Sequence, residues 1–151
     1  MAEFTRKEVL QMIAAVPVGS VIRFAGFDLS GLDLHCTDLS GVDLHWANLT
    51  DANLDNTDLS GADLSRAYLN GSNLPYANLT KASLSHANLN GADLAEAHLS
   101  GADLSYADLS YADLSRAYLN DANLTGAKLI GADLTDARLT GATMPNGTKR
   151  D

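Results

Sequence analysis

The chain has 151 residues, of which 23 are Ala and 25 are Leu, with 6% aromatics, three Pro and an ordinary 19% of charged residues. That composition excludes a disordered or collagen-like chain, the lone Cys36 excludes an internal disulfide or a cysteine zinc site, and the bias to two aliphatic side chains points to a repeat. Ten Lys plus Arg against nineteen Asp plus Glu leave a net charge of −9, the wrong sign for gripping nucleic acid through its phosphates.

The first predicted element is a short amphipathic helix. Thr5 followed by Glu8 forms a capping box, Val9, Leu10, Met12, Ile13 and Val16 supply an apolar stripe, and Pro17 ends it. Residues 1–21 are expected to be a capping helix and linker lying over whatever follows, because an open solenoid end would expose core and unpaired strand edges. Residues 9–22 do not read as a secretory signal, since Glu3 and Glu8 neutralise the basic segment and Gln11, Pro17 and Gly19 interrupt the apolar run. A cytoplasmic location without membrane association is expected.

From Leu29 to Leu139, Leu recurs at every fifth position in 23 consecutive units, and Phe24 and Met144 extend the series to 25. Two residues before each stands a small residue, Ala in 18 of the 20 units from Ala47 to Ala142, with Thr57 and Ser72 as the exceptions. Five residues turn a helix by about 500°, or about 140° past a full turn, so no helix buries this pattern on one face. Small-polar-Leu is instead a short stretch of strand alternation with both apolar residues pointing the same way, and the two polar residues after Leu are where the chain turns. The first coil departs from the small-residue rule with Ile22, Phe27, Leu32 and Val42, as if its core widened to meet the helix.

The number of sides per coil follows from a second period. Gly stands two residues after Leu in eight of the twelve units at Gly31, Gly41 and every tenth position to Gly141, but only once, at Gly126, in the eleven intervening units from Cys36 to Asp136. A ten-residue alternation of Gly with bulky corners fits an even number of sides, and four sides of five residues is the simplest closure. Residues 22–146 then make about six coils, roughly 30 Å tall at a rung spacing of ~4.8 Å. At this point the chain resembles the pentapeptide-repeat proteins, whose Ala-(Asp/Asn)-Leu-x-x consensus matches Ala-Asp-Leu-Ser-Tyr at 107–111 and Ala-Asn-Leu-Thr-Asp at 47–51. The resemblance implies an all-β fold, a right-handed quadrilateral β-helix. That family includes proteins that protect DNA gyrase from quinolones; the Phe-rich core, interrupting loops and C-terminal dimerising helix of those members have no counterpart here. Residues 147–151 form a tail without a helix pattern, so the last coil, around Leu134, Leu139 and Met144, is expected to be poorly covered. A monomer or an end-to-end dimer through that coil is the expected assembly.

A square coil makes residues twenty apart into neighbours about one rung apart. One outward corner column reads Trp46, Arg66, His86, Tyr106, an aromatic and cationic ladder, and a second reads Tyr76, Glu96, Arg116, Asp136, with Arg116 between two carboxylates; Tyr68, Tyr111 and Tyr118 are flanking residues. Before each Leu, Asp28, Asp33, Asp38 and Asp43 girdle the first coil, and Asp93, Asp113 and Asp133 stack on one face. Asp and Asn in such places bond the turn backbone, and solvated ladders are the commonplace reading of all these columns. Two functional readings stand above it. An exposed Trp beside Arg and Tyr is the kind of anchor protein interfaces favour. Alternatively, residues 24–148 carry 16 acidic against 5 basic residues, net −11, one charge per ~2.7 Å of axis against ~1.7 Å for duplex DNA, which suits an acidic DNA mimic aimed at a DNA-handling protein such as DNA gyrase or another topoisomerase. The column of aromatics ranks first, giving a non-enzymatic binding or scaffold module. Its partner is an unidentified protein rather than nucleic acid.

Catalysis is not expected, because Leu and Ala fill the solenoid and leave columns on a convex surface in place of a concave pocket. There is no Gly-x-Ser-x-Gly elbow, His-Glu-x-x-His motif, Walker loop or dinucleotide fingerprint. His35, His45, His86 and His98 fall on separate columns, so no histidine metal cluster is expected, and neither is a cofactor.

Overall fold

The computed structural model describes residues 4–17 and 20–151; the expected linker at 18–19 and the first three residues lie outside the described residues. One helix, α1 (Arg6–Ala15), precedes a continuous ladder of single parallel bridges, each joining a residue to the one twenty further on, from Arg23 with Asp43 to Asn123 with Thr143. With a Leu every five residues, that register gives four sides per coil.

Each unit is built the same way. Leu84 shows the pattern: its N–H donates to the Asp103 carbonyl at 2.7 Å, and the preceding Ser83 N–H donates back to the Ala62 carbonyl at 2.9 Å. The strand is thus bonded to the coil on either side. Ala87 N–H then donates to the Leu84 carbonyl at 3.0 Å, closing a four-residue turn whose third residue, His86, has φ of 59°, the left-handed geometry of a type II turn. All the described corners do this, and fourteen of them hold a residue other than Gly. Left-handed backbone costs such a residue about 1–2 kcal/mol, a strain that the two flanking rung bonds offset.

The interior is a stack of Leu and Ala side chains, nearly all buried from Phe24 to Ala127. The two breaks in the Ala pattern are also buried and satisfied locally. Thr57 Oγ1 donates to the Leu34 carbonyl at 2.9 Å, and Ser72 Oγ to the Leu69 carbonyl at 2.6 Å. Both hydroxyls therefore escape the cost of an unpaired buried polar group.

The ends differ from the middle. At the start, Thr5 and Glu8 close the capping box in both directions, Val9 is fully buried, Met12 and Ile13 pack on the core, and Phe4 stacks on Phe27 at 5.1 Å. Arg6 reaches from the helix to the first coil, where its guanidinium donates to the Asp33 and His35 carbonyls. No helix among the described residues is long and apolar enough to cross a membrane. At the other end, Leu129, Leu134, Leu139 and Met144 are only half-buried. The tail, which has no helix, folds back on the last coil. Asn146 and Gly147 turn it back, Met144 N–H donates to the Thr148 carbonyl, and an antiparallel bridge joins Thr143 to Lys149. Gly141 and Ala142 exchange further bonds with Arg150. Gly147, at φ of 83°, permits the reversal. One side of the last coil thereby gains a partner strand.

Candidate functional site

The corner column Trp46, Arg66, His86, Tyr106 is held at the third residue of successive type II turns, so the twenty-residue register sets its members one above another. The Arg66 guanidinium lies 5.3 Å from the centre of the Trp46 ring, and the His86 and Tyr106 rings stack at 5.1 Å and 11°. Trp46 and Tyr106 nonetheless remain about half exposed, at 47% and 58%. Trp46, Arg66 and His86 share a shallow depression with Tyr68 and Asn88 on the adjoining face. Above the ladder, the Tyr106 ring folds over Gly126, where a β-carbon would come within 2.6 Å of two ring carbons. Gly126 is the single Gly in its ten-residue series from Cys36 to Asp136, and it provides the room the tyrosine needs.

The acidic column is equally regular. Asp93, Asp113 and Asp133 are successive bridge partners on one face. Each Oδ1 accepts from the backbone N–H two residues on, at 3.0, 2.8 and 2.8 Å. These carboxylates therefore fasten their own turns while presenting three like charges in a row. Hydrogen bonds from the Thr135 side chain and amide hold the Asp133 carboxyl below its ordinary value. Lower on the same face, Asn53 and Asn73 replace the charge, and each Nδ2 donates to the Oδ1 one rung back at 3.0 Å.

The column of Tyr76, Glu96, Arg116 and Asp136 forms only in part. Arg116 pairs with Glu96 at 3.1 Å, and the Tyr76 hydroxyl donates to the same carboxylate at 3.4 Å. No ion pair joins Arg116 to Asp136 among the described residues, because the guanidinium leans back one rung. Tyr118, expected as a flanking residue, belongs to another ladder on a flat side, which the sequence reading does not assemble: the His98 and Tyr118 rings lie 4.7 Å apart, and the Arg138 guanidinium sits 4.8 Å from the Tyr118 ring centre. The spacing of twenty that found the first ladder also marks this one. The sequence expectation of no metal cluster rests on the histidines alone, which fall on separate columns. What a search for histidines alone misses is carboxylates: His45 comes together with Asp43 and Asp63, their ligand atoms all within 4.8 Å of one another.

Comparison with known proteins matches the pentapeptide-repeat profile at residues 22–51, 47–85, 82–121 and 117–146, eight copies in all. The chain belongs to the pentapeptide-repeat family. Its fold is the right-handed β-helix solenoid of that family. A solved pentapeptide repeat protein from the thylakoid lumen of Arabidopsis thaliana is 39% identical with a TM-score of 0.58, the match covering 62% of this chain and 66% of that one. A pentapeptide repeat protein from Nostoc PCC 7120 is 33% identical over 67% of this chain and 83% of that one, with a TM-score of 0.55. QnrB1, a plasmid-mediated fluoroquinolone resistance protein, matches at 20% identity over 81% of this chain and 72% of that one, with a TM-score of 0.36. Comparison with curated proteins found no match. Pentapeptide-repeat proteins are in general structural or binding modules, and no enzyme family matches.

Proposed function

We propose that this solenoid of about six coils, closed at its start by α1, is a non-enzymatic binding module that docks a protein partner on the Trp46, Arg66, His86, Tyr106 column. The observation that carries this reading is a stacked aromatic and cationic ladder left half exposed beside Tyr68. Rings already held by their neighbours lose little rotamer freedom on binding, so their contact area converts to affinity with a small entropic cost. Trp, Tyr and Arg are also the residues that dominate interface energetics. Assembly fits the same scheme: the tail pairs one side of the last coil, and the half-buried Leu129, Leu134 and Leu139 offer the remainder for end-to-end contact between copies.

The second reading, an acidic mimic of DNA that occupies a topoisomerase or other DNA-handling protein, rests on the uninterrupted run of Asp93, Asp113 and Asp133. The two separate by charge. Partners captured from a native lysate on the immobilised chain are tested against Trp46→Ala with Tyr106→Ala, and against Asp93, Asp113 and Asp133 all changed to Asn, at low and high salt. The aromatic reading expects the first variant to lose binding, the second to keep it, and salt to matter little. Loss in the Asn triple, with steep salt dependence and a silent aromatic pair, overturns it in favour of mimicry.

A further inference from the structure

We propose that Asp43, His45 and Asp63 form a binding site for one divalent first-row transition ion, with Zn²⁺ as the representative. Two adjacent rungs build it. Asp43 and Asp63 are bridge partners in the ladder, and His45 follows Asp43 by two residues at the corner. Their three ligand atoms all lie within 4.8 Å of one another. Bonds of about 2.0–2.2 Å span at most roughly 4.4 Å between ligands, so small side-chain rotations bring all three onto one ion. Two carboxylates and an imidazole are a donor set that suits Zn²⁺, Mn²⁺ or Co²⁺ and leaves coordination positions for water.

The chain itself supplies the comparison that makes this more than a meeting of acids. Asp-Leu-His occurs twice, at 33–35 and 43–45. In both copies the His Nδ1 pairs with the Asp Oδ1, at 2.6 and 2.5 Å. At the first copy a protein cation already occupies the position: Arg6 Nη1 lies 3.4 Å from Asp33 Oδ1 and 3.0 Å from His35 Nδ1, and the next rung holds the neutral Asn53, which donates to the same carboxylate. At the second copy the next rung holds Asp63, adding a negative charge. Among the described residues no Lys or Arg pairs with either carboxylate there; Arg23, the bridge partner of Asp43 one rung below, favours its charge without pairing with it. The same Asp–His pair is thus bonded to a guanidinium in one place and meets a second carboxylate in the other. An ion at the second site would replace the proton between Asp43 and His45, the imidazole shifting to the tautomer with its proton on Nε2. Oδ1 of each Asp accepts a turn amide, from His45 at 3.3 Å and Ser65 at 3.0 Å, which fixes the orientation of the carboxylate, as hydrogen bonds to metal-ligating groups do.

The test uses the full chain, freed of tags and metals. Zn²⁺ is titrated calorimetrically, and Co²⁺ is followed by quenching of Trp46, the single tryptophan and the neighbour of His45. One equivalent is expected to bind, with Asp63→Asn and His45→Ala each weakening affinity by about tenfold or more, while His35→Ala leaves it unchanged. Asp63→Asn keeps the turn-closing oxygen, and a cooperative melt verifies its fold. Failure of one equivalent to bind by millimolar Zn²⁺, or binding indifferent to both Asp63→Asn and His45→Ala, overturns the proposal.

Discussion

Changing Asp93 and Asp113 together to Asn should stabilise the solenoid, and the structure sets the size of the effect. Both carboxylates use Oδ1 to accept a turn amide, and Asn keeps that oxygen, at the loss of charge assistance worth about 1 kcal/mol per site. In return each new Nδ2 faces the Oδ1 one rung back, as Asn53, Asn73 and Asn123 do at 3.0 Å. Two such partly exposed bonds contribute about 0.5–1 kcal/mol each. Removing the two like-charge contacts, Asp93 with Asp113 and Asp113 with Asp133, adds about 0.2–1 kcal/mol each. The net is a gain of about 1 kcal/mol, which for a chain of this length raises the melting temperature by roughly 2–4 °C. Melts followed by circular dichroism measure this directly. The difference should narrow in 1 M salt, where the repulsion in the parent is screened. A lower melting temperature in the double variant would refute the reasoning, because it would mean that the charged turn bond outweighs the amide ladder.

Leu84, fully buried at mid-height, should lose about 2–5 kcal/mol on change to Ala, whereas Ser85→Ala should be near neutral; equal melting temperatures would contradict the packed core. Gly61→Ala and Gly126→Ala both place a side chain at positive φ, but only the second also meets the Tyr106 ring. Loss of the His86–Tyr106 ring-current shifts is thus expected in Gly126→Ala alone. Removing residues 1–16 should bare Phe24, Phe27 and Ile22 with the first coil's edge, and light scattering should report larger species. Turn bonds from His35 to Asp33, Ser40 to Asp38 and Ser110 to Asp108 hold these carboxyls below their ordinary value. Folded pKa values beneath unfolded ones give stability that is full above the usual carboxylate range, near pH 3.9, and falls as pH drops through the folded values. At physiological salt the melting temperature should be level from pH 7 to about 5 and decline below pH 4; a rise there would show that relief of the net negative charge dominates.

The core and the register were legible because the five-residue period is uninterrupted and every inward position repeats one of two side chains. The corner ladders were legible for the same reason, since a fixed register converts spacing in sequence into adjacency in space. What escaped depends on side-chain length and lean. Arg116 turns back to Glu96 and away from Asp136, a rotamer choice that spacing does not encode. Asp43, His45 and Asp63 combine a separation of two with one of twenty, and a search for a single period or a single residue type does not join them. The reversal at Asn146 and Gly147 depends on which strand edge is vacant, a property of the finished coil.

A solenoid of this kind restricts where function resides. With Leu and Ala filling the interior and each rung bonded to its neighbours, the inward half of every unit is committed to the fold. The Asp or Asn before each Leu is partly committed too, since it closes its own turn. The corner residue has a different standing: the backbone requires only a positive φ there, which Gly meets with least strain. Each Trp, Tyr, Arg or His at a corner is retained against about 1–2 kcal/mol of local strain. Trp46, Arg66, His86 and Tyr106 carry that strain on four consecutive rungs of one column, with Gly26 below and Gly126 above. Fold stability alone would favour Gly throughout the column. Replacing all four by Gly should therefore leave the coil at least as stable while removing the partner contact, and a destabilised coil would instead assign the ladder to the fold.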